Sequence, residues 1–112
     1  MPATRQFPRS ARLLGGAQFK RVFDQRKAHA NKLFRVHYAP ADAARLGIAV
    51  SRRVSLRAVV RNRIRRQIRE SFRLNRAELA AMDYVVVAKP DAAHATRPEL
   101  RAALDQLWQR FI

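Results

Sequence analysis

The residues best suited to chemistry are the arginines between positions 61 and 73, where the chain reads RNRIRRQIRESFR. Six of these residues are arginine, and Glu70 is the single acid. A guanidinium is always charged, and its planar set of donors matches the oxygens of a phosphate. The chemistry indicated by this stretch is therefore binding of a polyanion.

A helical period separates the stretch into two faces. The apolar stripe comprises Val60, Ile64, Ile68 and Phe72, with Gln67, Ser71 and Leu74 beside it. The opposite arc comprises Asn62, Arg63, Arg65, Arg66, Arg69 and Arg73, with Arg61 at the border. Glu70 can pair with Arg66 and Arg73, each pair contributing only about 0.2 to 0.5 kcal/mol. Because most of the repulsion stays unrelieved, the arc predicts a polyanionic partner.

A catalytic site is not indicated. A protein nuclease needs metal-bound carboxylates or a paired acid and base. The candidate acids lie apart in turns or at helix ends, and the histidines are isolated from one another: Asp24, Asp42, Asp83, Asp91, Asp105, His29, His37 and His94. Neither a glycine-rich phosphate loop nor the ligand spacing of a zinc site occurs. We therefore predict no catalytic residue and no metal ligand, which makes a self-contained nuclease the least favoured class.

Composition and charge describe one basic domain. The chain has 112 residues, 48% of them hydrophobic, and a formal charge of +16. Residues 1–76 carry 20 basic and 3 acidic side chains, a net +17, whereas residues 77–112 carry 4 and 5, a net −1. There is no cysteine, which suits a reducing compartment, and no apolar run approaches the roughly 18 residues of a membrane helix. We expect a cytoplasmic protein without a membrane partner.

The elements that must position the arginines follow from the patterning. Residues 1–14 are predicted to be a basic N-terminal arm, pinned by Phe7, Leu13 or Leu14, and residues 15–112 a single domain. The stretch AQFKRVFDQ predicts a short helix with Phe19, Val22 and Phe23 on one side. The alternation in LFRVHYA, residues 33–39, predicts a strand with Phe34, Val36 and Tyr38 on the core face and Arg35 and His37 on the other.

The remaining elements complete an α+β domain. LGIAVS, residues 46–51, predicts a second strand, most simply the hairpin partner of the first, and residues 27–31 predict a short edge strand. Ser55 is a candidate cap for an arginine helix over about 57–75. The valines of DYVVVAK, residues 83–89, predict a strand buried on both faces. Thr96 and Glu99 have capping-box spacing and begin a final helix. Three helices with few strands predict a two-layer α-β sandwich.

RNA is favoured over DNA as the polyanion. A major-groove recognition helix mixes asparagine, glutamine and small residues among its arginines, whereas this helix offers mainly phosphate-binding groups. A single Asn62 among arginines suits recognition of the backbone and shape of a folded RNA, and exposed aromatic residues suit stacking on unpaired bases.

The motifs RLGIAVSRR, AVVRNRIRRQIRESFR and MDYVVVAK, with AQFKRVF upstream, resemble the protein subunit of bacterial ribonuclease P. The resemblance runs from about residue 12 to the C-terminus in order and spacing. Its RNR signature corresponds to Arg61, Asn62 and Arg63. One departure is that Arg52 and Arg53 stand where many members have lysine, which preserves the charge.

This resemblance implies a fold, a partner and two sites. The fold has the order α-β-β-(β)-α-β-α, with a left-handed βαβ crossover through the arginine helix. The catalyst is an RNA that holds Mg²⁺ and removes the 5′ leader of precursor tRNA, and the protein binds and positions. The implied contacts to the catalytic RNA are Arg52, Arg53, Arg61, Asn62, Arg63, Arg65, Arg66, Arg69 and Arg73. A separate cleft for the single-stranded leader draws on Phe19, Phe23, Arg35 and His37.

Two points stay open in the sequence. Phe19 and Phe23 could equally pack in the core or stack on the leader. A basic structural protein of another ribonucleoprotein, such as a ribosome-associated factor, is the main alternative to the ribonuclease P subunit. The protein alone is expected to be a monomer.

Overall fold

The computed structural model describes residues 9–13 and 15–112, and these residues form a four-stranded sheet with three α-helices. The elements in chain order are α1 Gly16–Asp24, β1 Ala28–Ala30, β2 Phe34–Pro40, β3 Arg45–Ala49, α2 Ala58–Asn75, β4 Met82–Ala88 and α3 Arg97–Trp108. Short 3-10 turns occupy Arg9–Ala11, Arg76–Glu78, Pro90–His94 and Gln109–Phe111. The α+β class and the element order predicted from the sequence are confirmed.

The strand order is β1-β2-β4-β3. β2 pairs antiparallel with both β1 and β4, whereas β3 pairs parallel with β4. The predicted β2–β3 hairpin is therefore wrong. β4 lies between these two strands because its valines are apolar on both faces, with Val85 and Val86 fully buried, and only an inner position covers both. α2 makes the crossover from β3 to β4, and its left-handed sense stays a prediction.

The larger core lies between one sheet face and the helices α2 and α3. From the sheet, Phe34 and Val36 point into it as the alternation predicted, and from α2 the stripe residues Ile64, Ile68 and Phe72 are fully buried. α3 contributes Leu100, Leu104, Leu107 and Trp108. The apolar stripe of α2 is thus confirmed, and its burial turns the arginines outward.

The buried side chains of Ser71 and Gln67 on α2 are paired with side chains of α3. Trp108 Nε1 donates to Ser71 Oγ at 2.9 Å, and Ser71 Oγ donates to Asp105 Oδ1 at 3.4 Å. Arg101 Nη2 donates to Gln67 Oε1 at 3.0 Å. A buried donor left without a partner costs about 1–3 kcal/mol, so these bonds fix the rotation of α2 against α3.

α1 lies on the opposite sheet face. Its Val22 is fully buried in a small cluster with Leu13, Ala39 and Val85. The two-layer description therefore fits the larger core, and α1 adds a partial third layer. Leu13, at the described end of the predicted arm, is buried in this cluster, and its N–H donates to the carbonyl of Leu46 on β3 at 2.9 Å. The other two predicted pins, Phe7 and Leu14, lie outside the described residues.

The two predicted caps have different outcomes. Thr96 Oγ1 accepts from Glu99 N–H at 3.2 Å, and Glu99 Oε1 accepts from Thr96 N–H at 2.8 Å, so the capping box is confirmed. Ser55 does not cap α2, because the N-cap is Arg57. The hydroxyl of Ser55 instead accepts from the N–H of Arg57 at 3.1 Å, which turns the loop before the helix begins.

Candidate nucleic-acid interface

The arginine face of α2 points away from the core. Burial of the stripe leaves Asn62, Arg63, Arg66 and Arg69 exposed, and leaves Arg61, Arg65 and Arg73 partly exposed. Arg52 and Arg53, in the loop that precedes the helix, are exposed as well. All nine residues predicted to bind the catalytic RNA therefore present part or all of their side chains to solvent on or beside α2.

Two of these arginines hold the preceding loop in place. Arg65 Nη2 donates to the carbonyl of Val50 at 3.2 Å, and Arg61 Nη1 donates to the carbonyl of Ser55 at 2.9 Å. These bonds connect both ends of the segment that carries Arg52 and Arg53 to α2. Arg61 and Arg65 thereby organise the surface as well as adding charge to it.

The other cations divide into paired and unpaired groups. Glu70 pairs with Arg73, which lowers the pKa of Glu70, whereas the predicted pair with Arg66 does not form. Arg63 Nη2 reaches across to the carbonyl of Ala93 at 3.2 Å. Within the described residues, the guanidiniums of Arg52, Arg53, Arg66 and Arg69 make no hydrogen bond or ion pair. An approaching phosphate would meet these four with no internal bond to break.

A second surface lies on the α1 side of the sheet and brings together Phe23, Arg35 and His37. The ring of Phe23 meets the His37 imidazole edge-on, with centroids 4.7 Å apart and planes at 80°. Phe23 is 37% exposed, and Arg35 is exposed two residues before His37 on β2. An aromatic ring, an imidazole and a guanidinium are the groups that hold unpaired nucleotides.

His37 acts on this surface as a neutral ring. Burial and, after it, the neighbouring Arg35 guanidinium lower the pKa of His37. Its Nδ1 is buried and has no hydrogen-bond partner. Because the pKa lies below the ordinary value, the neutral imidazole dominates at pH 7, and Arg35 is the source of positive charge.

Phe19 has a packing role that Phe23 lacks. The far end of its ring lies against Gly47 of β3, where a Cβ would come within 2.7 Å of the ring carbon Cζ. Phe19 also borders a cavity of about 170 Å³ together with Arg12 and Arg69. Phe19 therefore borders the α2 surface at the β3 edge of the sheet, whereas Arg35 and His37 lie on the sheet face opposite α2.

An ion-pair cluster on the α1 side was not predicted from the sequence. Asp83 is fully buried, and its carboxylate accepts from Arg45 Nε at 2.6 Å and from Arg45 Nη2 at 2.7 Å. Arg21 of α1 donates to the same carboxylate. The interpretation of Asp83 as an isolated acid in a turn is thus wrong. The sequence contained one indication of this cluster, because Asp83 lies near the start of an otherwise apolar strand in a chain rich in arginine.

This cluster should stabilise the domain. We expect Asp83→Asn to lower the free energy of unfolding by about 2 to 3 kcal/mol. Breaking a fully buried ion pair costs about 3–5 kcal/mol, and the loss is smaller here because the side chains of Arg21 and Arg45 are partly exposed to water. Urea unfolding measures the loss. The control is Asp42→Asn, an exposed acid, which should change stability by less than about 0.5 kcal/mol. Equal effects of the two substitutions would contradict the role of Asp83.

Neither a metal site nor a membrane span emerges from residues 9–13 and 15–112. No three of their His, Cys, Asp or Glu side chains lie close enough together to hold a metal ion. None of their helices has the length and apolar character needed to cross a bilayer.

The family model described as Ribonuclease P matches residues 7–112. The chain belongs to the ribonuclease P protein family. Family membership makes it an RNA-binding protein of tRNA processing and a component of a ribonucleoprotein nuclease. It also decides between the two ribonucleoprotein alternatives that the sequence left open.

Curated relatives agree with this family. The ribonuclease P protein component of Xanthomonas oryzae pv. oryzae is 47% identical over 107 residues, which are 95% of this chain and 74% of the relative. The ribonuclease P protein component of Xylella fastidiosa is 40% identical over 112 residues, covering 99% of this chain and 83% of the relative.

Solved structures of ribonuclease P proteins share the fold. The Staphylococcus aureus ribonuclease P protein superposes with a TM-score of 0.84 at 31% identity, covering 89% of this chain and 94% of that one. The Thermotoga maritima protein superposes with a TM-score of 0.80 at 28% identity, covering 90% and 97%. The fold predicted for this family is therefore present in this chain.

Proposed function

We propose that the protein is the auxiliary subunit of ribonuclease P, and that it binds the catalytic RNA through α2 and the 5′ leader of precursor tRNA through the α1 side of the sheet. The observation that carries this proposal is the placement of two different surfaces on opposite sides of one sheet. The α2 side offers guanidiniums for phosphates, and the other side offers Phe23, Arg35 and His37 for unpaired nucleotides.

In this proposal the protein contributes binding energy and the RNA contributes the chemistry. Cleavage of a phosphodiester needs an activated water and stabilisation of the leaving oxygen, for which Mg²⁺ is suited. The described carboxylates and histidines of this chain do not cluster into a set of metal ligands. We therefore assign Mg²⁺ to the RNA, and we assign to the protein the task of holding the leader beside it.

The leader site has a test based on leader length. We expect Arg35→Ala with His37→Ala to raise the KM for precursor tRNA with a leader of several nucleotides by about tenfold, because stacking on a base is worth about 1–3 kcal/mol. The defect should disappear when the leader is too short to reach the cleft. Steady-state kinetics of the reconstituted holoenzyme measure both values.

The control is Arg97→Ala, which removes an exposed cation from α3, a helix on the opposite sheet face. It should leave the KM unchanged at every leader length. If the double variant is equally defective at all leader lengths, or loses affinity for the catalytic RNA, Arg35 and His37 do not form the leader site.

A further inference from the structure

An apolar patch interrupts the cationic surface where α2 begins. The patch consists of Leu56, which is 82% exposed, and Val59, which is 64% exposed. The two residues are three positions apart at the start of the helix, beside Arg57 and Arg63. Exposed apolar side chains have no role in binding phosphates, so the charge of this surface does not explain them.

Val59 of the patch lines a groove of mixed apolar and polar character, and Leu56 directly precedes the lining residue Arg57. The groove has a volume of about 680 Å³ and is lined by Arg57, Val59, Val60, Asn62, Arg63 and Arg66. Val59, Arg63 and Arg66 follow one another at helical spacing along a single line of α2. Asn62 Oδ1 accepts from Arg65, which leaves the amide NH₂ of Asn62 as a donor toward the groove.

We propose that this groove holds an unpaired nucleotide of the catalytic RNA, with its base against Leu56 and Val59. A nucleobase has apolar faces and a polar edge, and the phosphates on either side of it carry the charge that Arg57, Arg63 and Arg66 would bind. A base-paired duplex presents its phosphates outward and would leave the patch uncovered. The inference rests on the proposed function, since it specifies which part of the RNA the arginine face contacts.

The patch and the arginines should contribute to RNA binding in different ways. Leu56→Ser with Val59→Ser should weaken binding of the catalytic RNA about tenfold, which corresponds to about 1.4 kcal/mol. Burial of about 55 Å² of apolar surface against the base would account for this difference. No phosphate contact is removed, so the dependence of affinity on salt should keep its slope. Both positions are exposed, so the melting temperature should stay that of the parent protein.

A direct test compares two probes, single-stranded oligoadenylate and the same strand paired with oligouridylate. The protein carries Arg35→Ala and His37→Ala throughout, so that the leader surface does not contribute to binding. Adding Leu56→Ser and Val59→Ser should weaken binding of the single strand about tenfold and leave binding of the duplex unchanged. Equal loss for both probes, or no loss for either, would overturn the proposal. Sedimentation should show a monomer with and without the substitutions. A dimer that Leu56→Ser dissolves would instead assign the patch to a second copy of the chain.

The outcome is distinguishable from failure of the proposed function. If substitution of the α2 arginines weakens binding of the catalytic RNA while substitution of the patch does not, the patch proposal is wrong and the proposed function stands. If neither change affects binding of that RNA, both are wrong.

Discussion

Replacement of Arg53, Arg66 and Arg69 by alanine is expected to weaken binding of the catalytic RNA about a hundredfold, or about 2.7 kcal/mol. These three guanidiniums are exposed and make no bond within the described residues, so their loss removes contacts to the RNA and leaves the internal bonds of the domain intact. Each lost phosphate contact should lower the slope of log affinity against log salt by about 0.7 to 0.9. Filter binding over a range of salt concentrations measures the slope and the affinity together.

A matched variant removes the same charge elsewhere. Lys32, Arg97 and Arg110 are exposed cations outside α2 and its preceding loop, and replacing all three by alanine should leave the slope almost unchanged. Surface substitutions of this kind alter stability by no more than about 0.5 kcal/mol each, so both triple variants should keep the parental melting temperature. A lowered melting temperature with an unchanged slope in the α2 variant would show that its arginines are structural.

Ile68→Asp is expected to unfold the domain. Ile68 is fully buried in the core between the sheet, α2 and α3. The substitution removes a large apolar side chain, at about 2–5 kcal/mol, and places an unpaired carboxylate in the same space at several kcal/mol more. The sum is comparable with the whole stability of an ordinary small domain, which lies toward the lower end of about 5–15 kcal/mol.

Trp108 provides the measurement, because its ring is fully buried 5.8 Å from that of Phe72 and gives a near-ultraviolet circular dichroism signal when packed. The Ile68→Asp variant should lose this signal. Ile68→Val, which keeps the apolar contact, should retain it at a cost of about 0.5–1.5 kcal/mol. Retention of the full signal by the aspartate variant would contradict the placement of the stripe.

The elements that the sequence predicted well are those whose pattern is local. The four-residue recurrence from Ile64 to Phe72 and the alternation from Phe34 to Tyr38 each place apolar groups on one face, and the structure buries those faces. The capping box of Thr96 and Glu99 is likewise a contact over three residues. Such features depend on the geometry of one helix or one strand, which spacing in the sequence specifies.

The errors concern contacts between distant parts of the chain. Hairpin pairing of β2 with β3 was the simplest local solution, but β4, which follows α2 in the chain, takes the position between them. The carboxylate of Asp83 meets Arg45 from 38 positions away and Arg21 from 62 positions away, and no spacing rule connects such partners. The different environments of Phe19 and Phe23 also depend on tertiary contacts, because Phe19 packs on Gly47 of another element.

Reconstitution of the cleavage reaction shows whether the protein acts as an auxiliary subunit of a catalytic RNA. Precursor tRNA is incubated at low Mg²⁺ with the protein alone, with the catalytic RNA alone and with both. Cleavage at the mature 5′ end is expected only when both components are present, because the RNA supplies the reaction and the protein supplies binding that low Mg²⁺ cannot replace. Cleavage by the protein alone, or a catalytic RNA whose activity the protein does not change, would contradict this role of the protein.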